Sequence, residues 1–195
     1  MTKAITSPEI QTEVREFLWT IERYHQAIEL GVLTENDKVE LLFGRLIEKM
    51  PVGSPHAACL SKINLFFHKK YMEEYDLRRE NPVTLPNASE PEPDYVVAYA
   101  KDDFYSEGHP TPPDILLLIE VSESTLYADR NIKASAYALA GIKEYWIINL
   151  NNRKIELHLN PDAEEGIYQS INHYDEDSTF ASPFVGEVAV ADLLI

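Results

Sequence analysis

The chain has 195 residues, of which 33 are acidic and 17 basic, for a formal charge of -16, and 45% of its side chains are hydrophobic. That length and apolar content suit one compact domain with a real core and exclude a disordered chain. The single cysteine, Cys59, excludes an intramolecular disulfide and a cysteine-only zinc site.

No stretch reaches the roughly 18 to 20 apolar residues that span a bilayer, and the first residues lack the apolar centre of a signal peptide. A cytoplasmic protein is expected, with no membrane partner. The acids are unevenly spread. Residues 155–195 hold nine acids and no Lys or Arg, and residues 86–129 hold ten acids and one Lys. Residues 56–72 carry Lys62, Lys69 and Lys70 and no acid. Most of the acids read as solvated faces. A chain this acidic does not bind DNA through bulk electrostatics. A polyanion would need the local basic surface or a bound cation.

Residues 1–50 read as an N-terminal helical arm with a short hairpin, and residues 51–195 as an α/β core with C-terminal strands, one compact domain overall. A helix is expected from about Ile10 to Trp19. Thr20 can cap a second from Ile21 to Leu30, with Ile21, Tyr24 and Ile28 on one stripe and Gly31 closing it. Residues 39–50 read as two short strands turning at Gly44. After a proline loop, a helix is expected from about His56 to Tyr75, with Ala57, Leu60, Ile63, Phe67 and Tyr71 inward.

Strands are expected at 78–85, 95–100 and 115–121. The five apolar residues from Ile115 to Ile119 mark the last of these as central and covered on both faces. A helix from about Asn131 to Ala140 ends at Gly141, and a buried strand follows at 144–150. Asn151-Asn152 turns into a strand at 154–159, and 166–195 reads as further short strands. This order predicts an α/β fold with a mixed sheet flanked by helices.

Glu120 is the sharpest anomaly. It follows five apolar residues in the innermost strand, and a lone buried carboxylate there must be paired, protonated or bound to a cation. The alternative is that it lies just past the buried part of the strand. Asp94, after Pro93, starts the preceding strand, so the two carboxylates could project together; the alternative is an ordinary turn aspartate. Asp114 looks similar but lies roughly 20 Å along the strand from Glu120.

Two carboxylates converging at a sheet edge suit a hard cation such as Mg²⁺ or Mn²⁺. Lys133, near the start of the next helix, could steady a water or a phosphate charge, with Tyr137 four residues on. Glu40 either joins this group or faces solvent. Asp129 is expected to cap the helix and His56 to be a cap or surface residue. Walker, dinucleotide-binding, nucleophile-elbow and zincin patterns are absent.

The set Pro93-Asp94, Glu120-Val121-Ser122 and Lys133 resembles the PD-(D/E)xK nuclease superfamily. With Val39-Glu40-Leu41, Gly44, His56, Asp129, Tyr137 and Gly141-Ile142-Lys143-Glu144-Tyr145-Trp146, the chain resembles more specifically the Uma-type restriction endonuclease family, over residues 20–195. The resemblance implies a restriction-endonuclease-like fold. It also implies a divalent-metal site on Asp94 and Glu120, with the Val121 carbonyl as a further candidate ligand, and Lys133 in place of the lysine that Ser122 displaces.

The expected function is a Mg²⁺- or Mn²⁺-dependent DNA endonuclease. Asp94, Glu120 and Lys133 would be its catalytic residues and Glu40 and Tyr137 would support them. A catalytically quiet module that binds nucleic acid or protein, and a hydrolase of small phosphate esters, are the alternatives. A positive rim built from Lys62, Lys69, Lys70, Arg130 and Lys133 would favour the nuclease, and a negative rim the module. Cutting two strands would suit a homodimer.

Overall fold

A computed structural model of the chain describes residues 15–195. The first expected helix lies outside the described residues over 10–14, and residues 15–20 carry no helix. Helix α1 spans Ile21–Glu29, and the Thr20 hydroxyl accepts from the Arg23 amide at 3.2 Å. Its inward stripe is Tyr24 and Ala27, not Ile28, which is 47% exposed.

Strands β1 (Val39–Leu42) and β2 (Arg45–Glu48) form an antiparallel hairpin. Its two turn residues, Phe43 (φ 51) and Gly44 (φ 72), both sit at positive φ, as in a type I′ two-residue hairpin. A Cβ on Gly44 would lie 2.8 Å from the Trp19 carbonyl oxygen. The hairpin joins the core through Leu41, whose carbonyl accepts from the Glu90 amide at 2.7 Å.

Helix α2 runs Ser54–Tyr71, earlier at both ends than expected, with Pro55 in the first turn, where its missing N–H costs nothing. Its buried stripe is His56, Cys59, Leu60, Ile63 and Phe67, while Ala57 faces out. Because the helix stops at Tyr71, β3 starts early and spans Tyr75–Arg79 rather than 78–85. Glu80, at φ 51, breaks it.

The remaining strands are β4 (Tyr95–Tyr99), β5 (Ile115–Ser122), β6 (Glu144–Asn149), β7 (Lys154–Asp162), β8 (Ile167–Asp175) and the hairpin β9 (Thr179–Ser182) with β10 (Gly186–Ala189). Between β5 and β6 the chain forms α3 (Leu126–Ala128), a π-helical turn (Asp129–Lys133) and α4 (Ala134–Leu139). This helical run begins five residues before the expected start.

Six strands make one mixed sheet in the order β3-β4-β5-β6-β7-β8. Only β5 and β6 are parallel, and α3 and α4 form their crossover. Side chains alternate between the two faces. Leu117, Ile119, Val121, Trp146 and Ile148 pack with Leu60, Ile63 and Phe67 of α2. Leu118, Tyr145 and Ile147 pack with Ala134, Ala136, Tyr137 and Ala138 of the helical run. Glu120 and Ser122 share the parity of Leu118, so they face α4. No described helix is long and apolar enough to cross a membrane.

The π turn is clamped from outside. Arg130 Nε donates to both oxygens of Glu156 on β7, at 2.9 and 3.0 Å. Burial alone would raise the Glu156 carboxyl. His158, 3.6 Å away, and the hydrogen bonds and charge of Arg130 overcome it and hold its pKa down at about 2. A pKa lowered in the folded state adds stability above the unfolded value near 4.5, and this is lost as pH falls from there towards 2. The destabilisation caused by Glu156→Gln, measured by urea unfolding, should therefore be larger at pH 7 than at pH 3. An equal effect at both pH values would contradict the clamp.

Candidate active site

Glu120 is 3% exposed and is gripped at one oxygen. Lys133 Nζ donates to its Oε1 at 2.9 Å and the Tyr137 hydroxyl to the same atom at 2.8 Å. Lys133 ends the π turn and Tyr137 lies four residues on, so both reach the strand from one helix face. Lys133 also lies 3.4 Å from Glu40 Oε2, which accepts from the Glu92 amide at 3.0 Å. Glu40 is thus buried in the site rather than in solvent.

Burial pushes the Glu120 carboxyl well above the usual carboxylate range; Lys133 works against the rise, while Asp94, Asp129 and Glu40 add to it. Burial disfavours the Lys133 ammonium, but Glu120 and Glu40 outweigh it and raise its pKa, so it stays charged. Burial and then Glu120 raise the Tyr137 phenol, which keeps it a donor.

Asp94 lies one residue before β4. The last β4–β5 pair is Tyr95 with Ile119, so one further step brings Asp94 level with Glu120. Its Oδ2 accepts from the Val121 amide at 2.7 Å and meets His56 Nε2 at 3.0 Å. His56 is therefore a buried partner of Asp94, not a cap or surface residue. Burial works against the His56 charge, yet the hydrogen bond and charge of Asp94 leave its pKa raised. The inward stripe His56, Leu60, Ile63, Phe67 was the sequence signal that could have found it.

Asp129 does not cap a helix either. Its Oδ2 accepts from the Ser122 and Thr125 hydroxyls, both at 2.6 Å, and so ties the end of β5 to the helical run. Burial raises its carboxyl, and Lys133 and these two hydroxyls oppose the rise. The Ser122 hydroxyl, in the position of the missing lysine, is thereby engaged. Asp114 stands apart, held by Thr111 and Lys101.

Asp94, Glu120, Lys133, Glu40 and His56 line one cavity of about 350 Å³. Eight acids line it (Glu40, Glu48, Glu80, Glu92, Asp94, Glu120, Glu123 and Asp129), against two lysines, Lys49 and Lys133. Lys49 pairs with Glu92. The positive rim that would favour the nuclease is not formed around this cavity, and its acidic lining is the kind that favours the module. Lys62, Lys69, Lys70 and Arg130 do not line it. Lys62 holds the Ala191 carbonyl at 2.8 Å, Arg130 holds Glu156, and Lys133 is buried.

Among the described residues no three His, Cys, Asp or Glu side chains are grouped as a ready metal cage. The cavity offers a sparser set. Asp94 Oδ1, Glu120 Oε2 and Glu40 Oε1 take no hydrogen bond from any described residue, because the partners named above all use the other oxygen. Two such oxygens, with the Val121 carbonyl and water, fit the one or two carboxylates that Mg²⁺ accepts.

A family model described as "Putative restriction endonuclease", Uma2, matches residues 21–191. The chain belongs to the Uma2 family. The fold is similar to the crystal structure of a "putative nuclease belonging to DUF820" from Anabaena variabilis, with a TM-score of 0.63 over 85% of this chain and 94% of that one. At 16% identity this likeness shows a shared nuclease-like α/β fold. None of the curated proteins compared with the chain matches it. Membership of Uma2 supports a nuclease reading.

Removing the ammonium strands a buried carboxylate. Lys133→Met should cost about 3–5 kcal/mol of unfolding free energy. Adding Glu120→Gln should restore part of it, because the charge left without a partner is gone. Urea unfolding of the three proteins checks this, and a single variant as stable as the parent would contradict the pairing.

Proposed function

We propose that this protein is a Mg²⁺- or Mn²⁺-dependent DNA endonuclease that hydrolyses phosphodiester bonds at Asp94, Glu120 and Lys133. The observation that carries the reading is the one-sided clamping of two adjacent carboxylates. Lys133 and Tyr137 hold Glu120 Oε1, and His56 and the Val121 amide hold Asp94 Oδ2, which leaves one oxygen of each without a protein partner. Such support is what orients metal-binding carboxylates.

When bound, the cation supplies positive charge for the phosphate and a more acidic water. Asp94 and Glu120 hold it. Lys133 has three N–H donors and two carboxylate neighbours, so one N–H is left for a water or a phosphate oxygen. Glu40 keeps that ammonium in place. In the hydrolysis, the water oxygen bonds to phosphorus and one P–O ester bond breaks. The water's proton passes through solvent and the departing oxygen is protonated. The acidic lining makes the cation necessary for approach as well as for chemistry, since a phosphate alone would be repelled.

That same lining favours a second reading, a catalytically quiet module that binds a partner. Nicking of supercoiled plasmid separates the two. The purified protein should nick only with Mg²⁺ or Mn²⁺ present. Asp94→Asn and Glu120→Gln should each lose on the order of 100-fold or more. His56→Ala, which removes only the support of Asp94, should lose about 10- to 100-fold. Full nicking by both carboxylate variants would sink the assignment, and failure of the parent to cut either plasmid or single-stranded DNA would turn the reading to the module.

A further inference from the structure

Two separate segments place exposed apolar side chains along the acidic cavity. Tyr127, in α3, is 76% exposed, and Met50 and Val52, in the loop between β2 and α2, are 58% and 54% exposed. All three line the cavity that holds Asp94 and Glu120. Asn131 Nδ2 donates to the Tyr127 carbonyl at 2.8 Å, so the backbone beneath the ring is anchored while the ring is left in water. Together they offer apolar contact surface to whatever enters that cavity.

Electrostatics limits what that is. Duplex DNA carries one negative charge per about 1.7 Å of axis and is normally held by many unpaired cations. Here the cavity has eight acids against two lysines, and both lysines are already paired. A cavity of about 350 Å³ takes a group the size of one nucleotide. Binding must then draw on contacts that need no cations. Stacking of an unpaired base on an aromatic ring is such a contact, and it tolerates any sequence.

We propose that the substrate is an unpaired DNA strand, with one base stacked on Tyr127 against the Met50–Val52 segment and a neighbouring phosphate at Asp94 and Glu120. This inference rests on the nuclease reading above. It asks for one site per cut, so cleavage would not require a homodimer.

The test compares a fluorescent oligonucleotide alone and annealed to its complement, both with Mn²⁺, for the parent, Tyr127→Ala, Tyr127→Trp and Glu120→Gln. Tyr127 is exposed, so its variants should fold. The single strand should be cut faster than the duplex. Tyr127→Ala should raise KM between about 5- and 150-fold, the range that a stacked base contributes, with little change in kcat. Tyr127→Trp should restore the parent KM.

Equal cutting of duplex and single strand, or an unchanged KM in Tyr127→Ala, would overturn this inference. The nuclease reading would survive that result if Glu120→Gln still abolished cutting. Failure of the parent to cut either form would overturn both.

Discussion

The ammonium of Lys133 lies 2.9 Å from Glu120 and 3.4 Å from Glu40, and all three side chains are nearly closed to water. Each comes from a different piece of chain: the helical run, the central strand β5, and the hairpin strand β1. Charges taken out of water in this way hold only when matched and hydrogen-bonded. The helix must therefore lie close on the sheet and in one rotation. Its small residues Ala134, Ala136 and Ala138 allow the close approach. Asp129, Lys133 and Tyr137, spaced four apart across the π turn, form one inward stripe with a polar partner at each step. π-helical turns of this kind recur at functional sites.

One ammonium does not balance the carboxylates around it. Glu120 carries a raised pKa because burial and three neighbouring acids outweigh Lys133. Asp94 is steadied by an amide and an imidazole rather than by a lysine or arginine. The site is thus geometrically supported on one side and short of positive charge on the other. A divalent cation is the simplest group that supplies what is missing, and the same shortage argues against a long duplex lying across the cavity.

Much of this site was legible before any coordinates, because a charge inside an apolar strand has few ways to be tolerated. Glu120 after Ile115–Ile119 follows from that rule, whereas Asp94 was a candidate only because it starts the neighbouring strand, with an ordinary turn aspartate as the alternative. Lys133 and Tyr137 follow from helical spacing. The nuclease-like α/β fold was legible from the alternation of elements and from the family pattern.

What was hidden depended on long-range contacts. The side that Glu40 faces depends on the bridge between Leu41 and Glu90. His56 reads as a cap until Asp94, 38 residues away, is placed beside it. Asp129 looks like a helix cap because the π turn, which draws it inward to Ser122 and Thr125, has no simple sequence signature. A basic rim at the cavity is missing in part because Lys62 and Arg130 find partners in the C-terminal backbone and β7, which no local pattern shows.

The central claim is that the unclamped oxygens of Asp94 and Glu120 receive a divalent cation. Calorimetric titration of Mn²⁺ into the parent protein and into Asp94→Asn, each checked for native circular dichroism, tests it most directly. The account predicts saturable binding at one site in the parent and its loss in the folded variant. Binding of equal affinity in both proteins would contradict it.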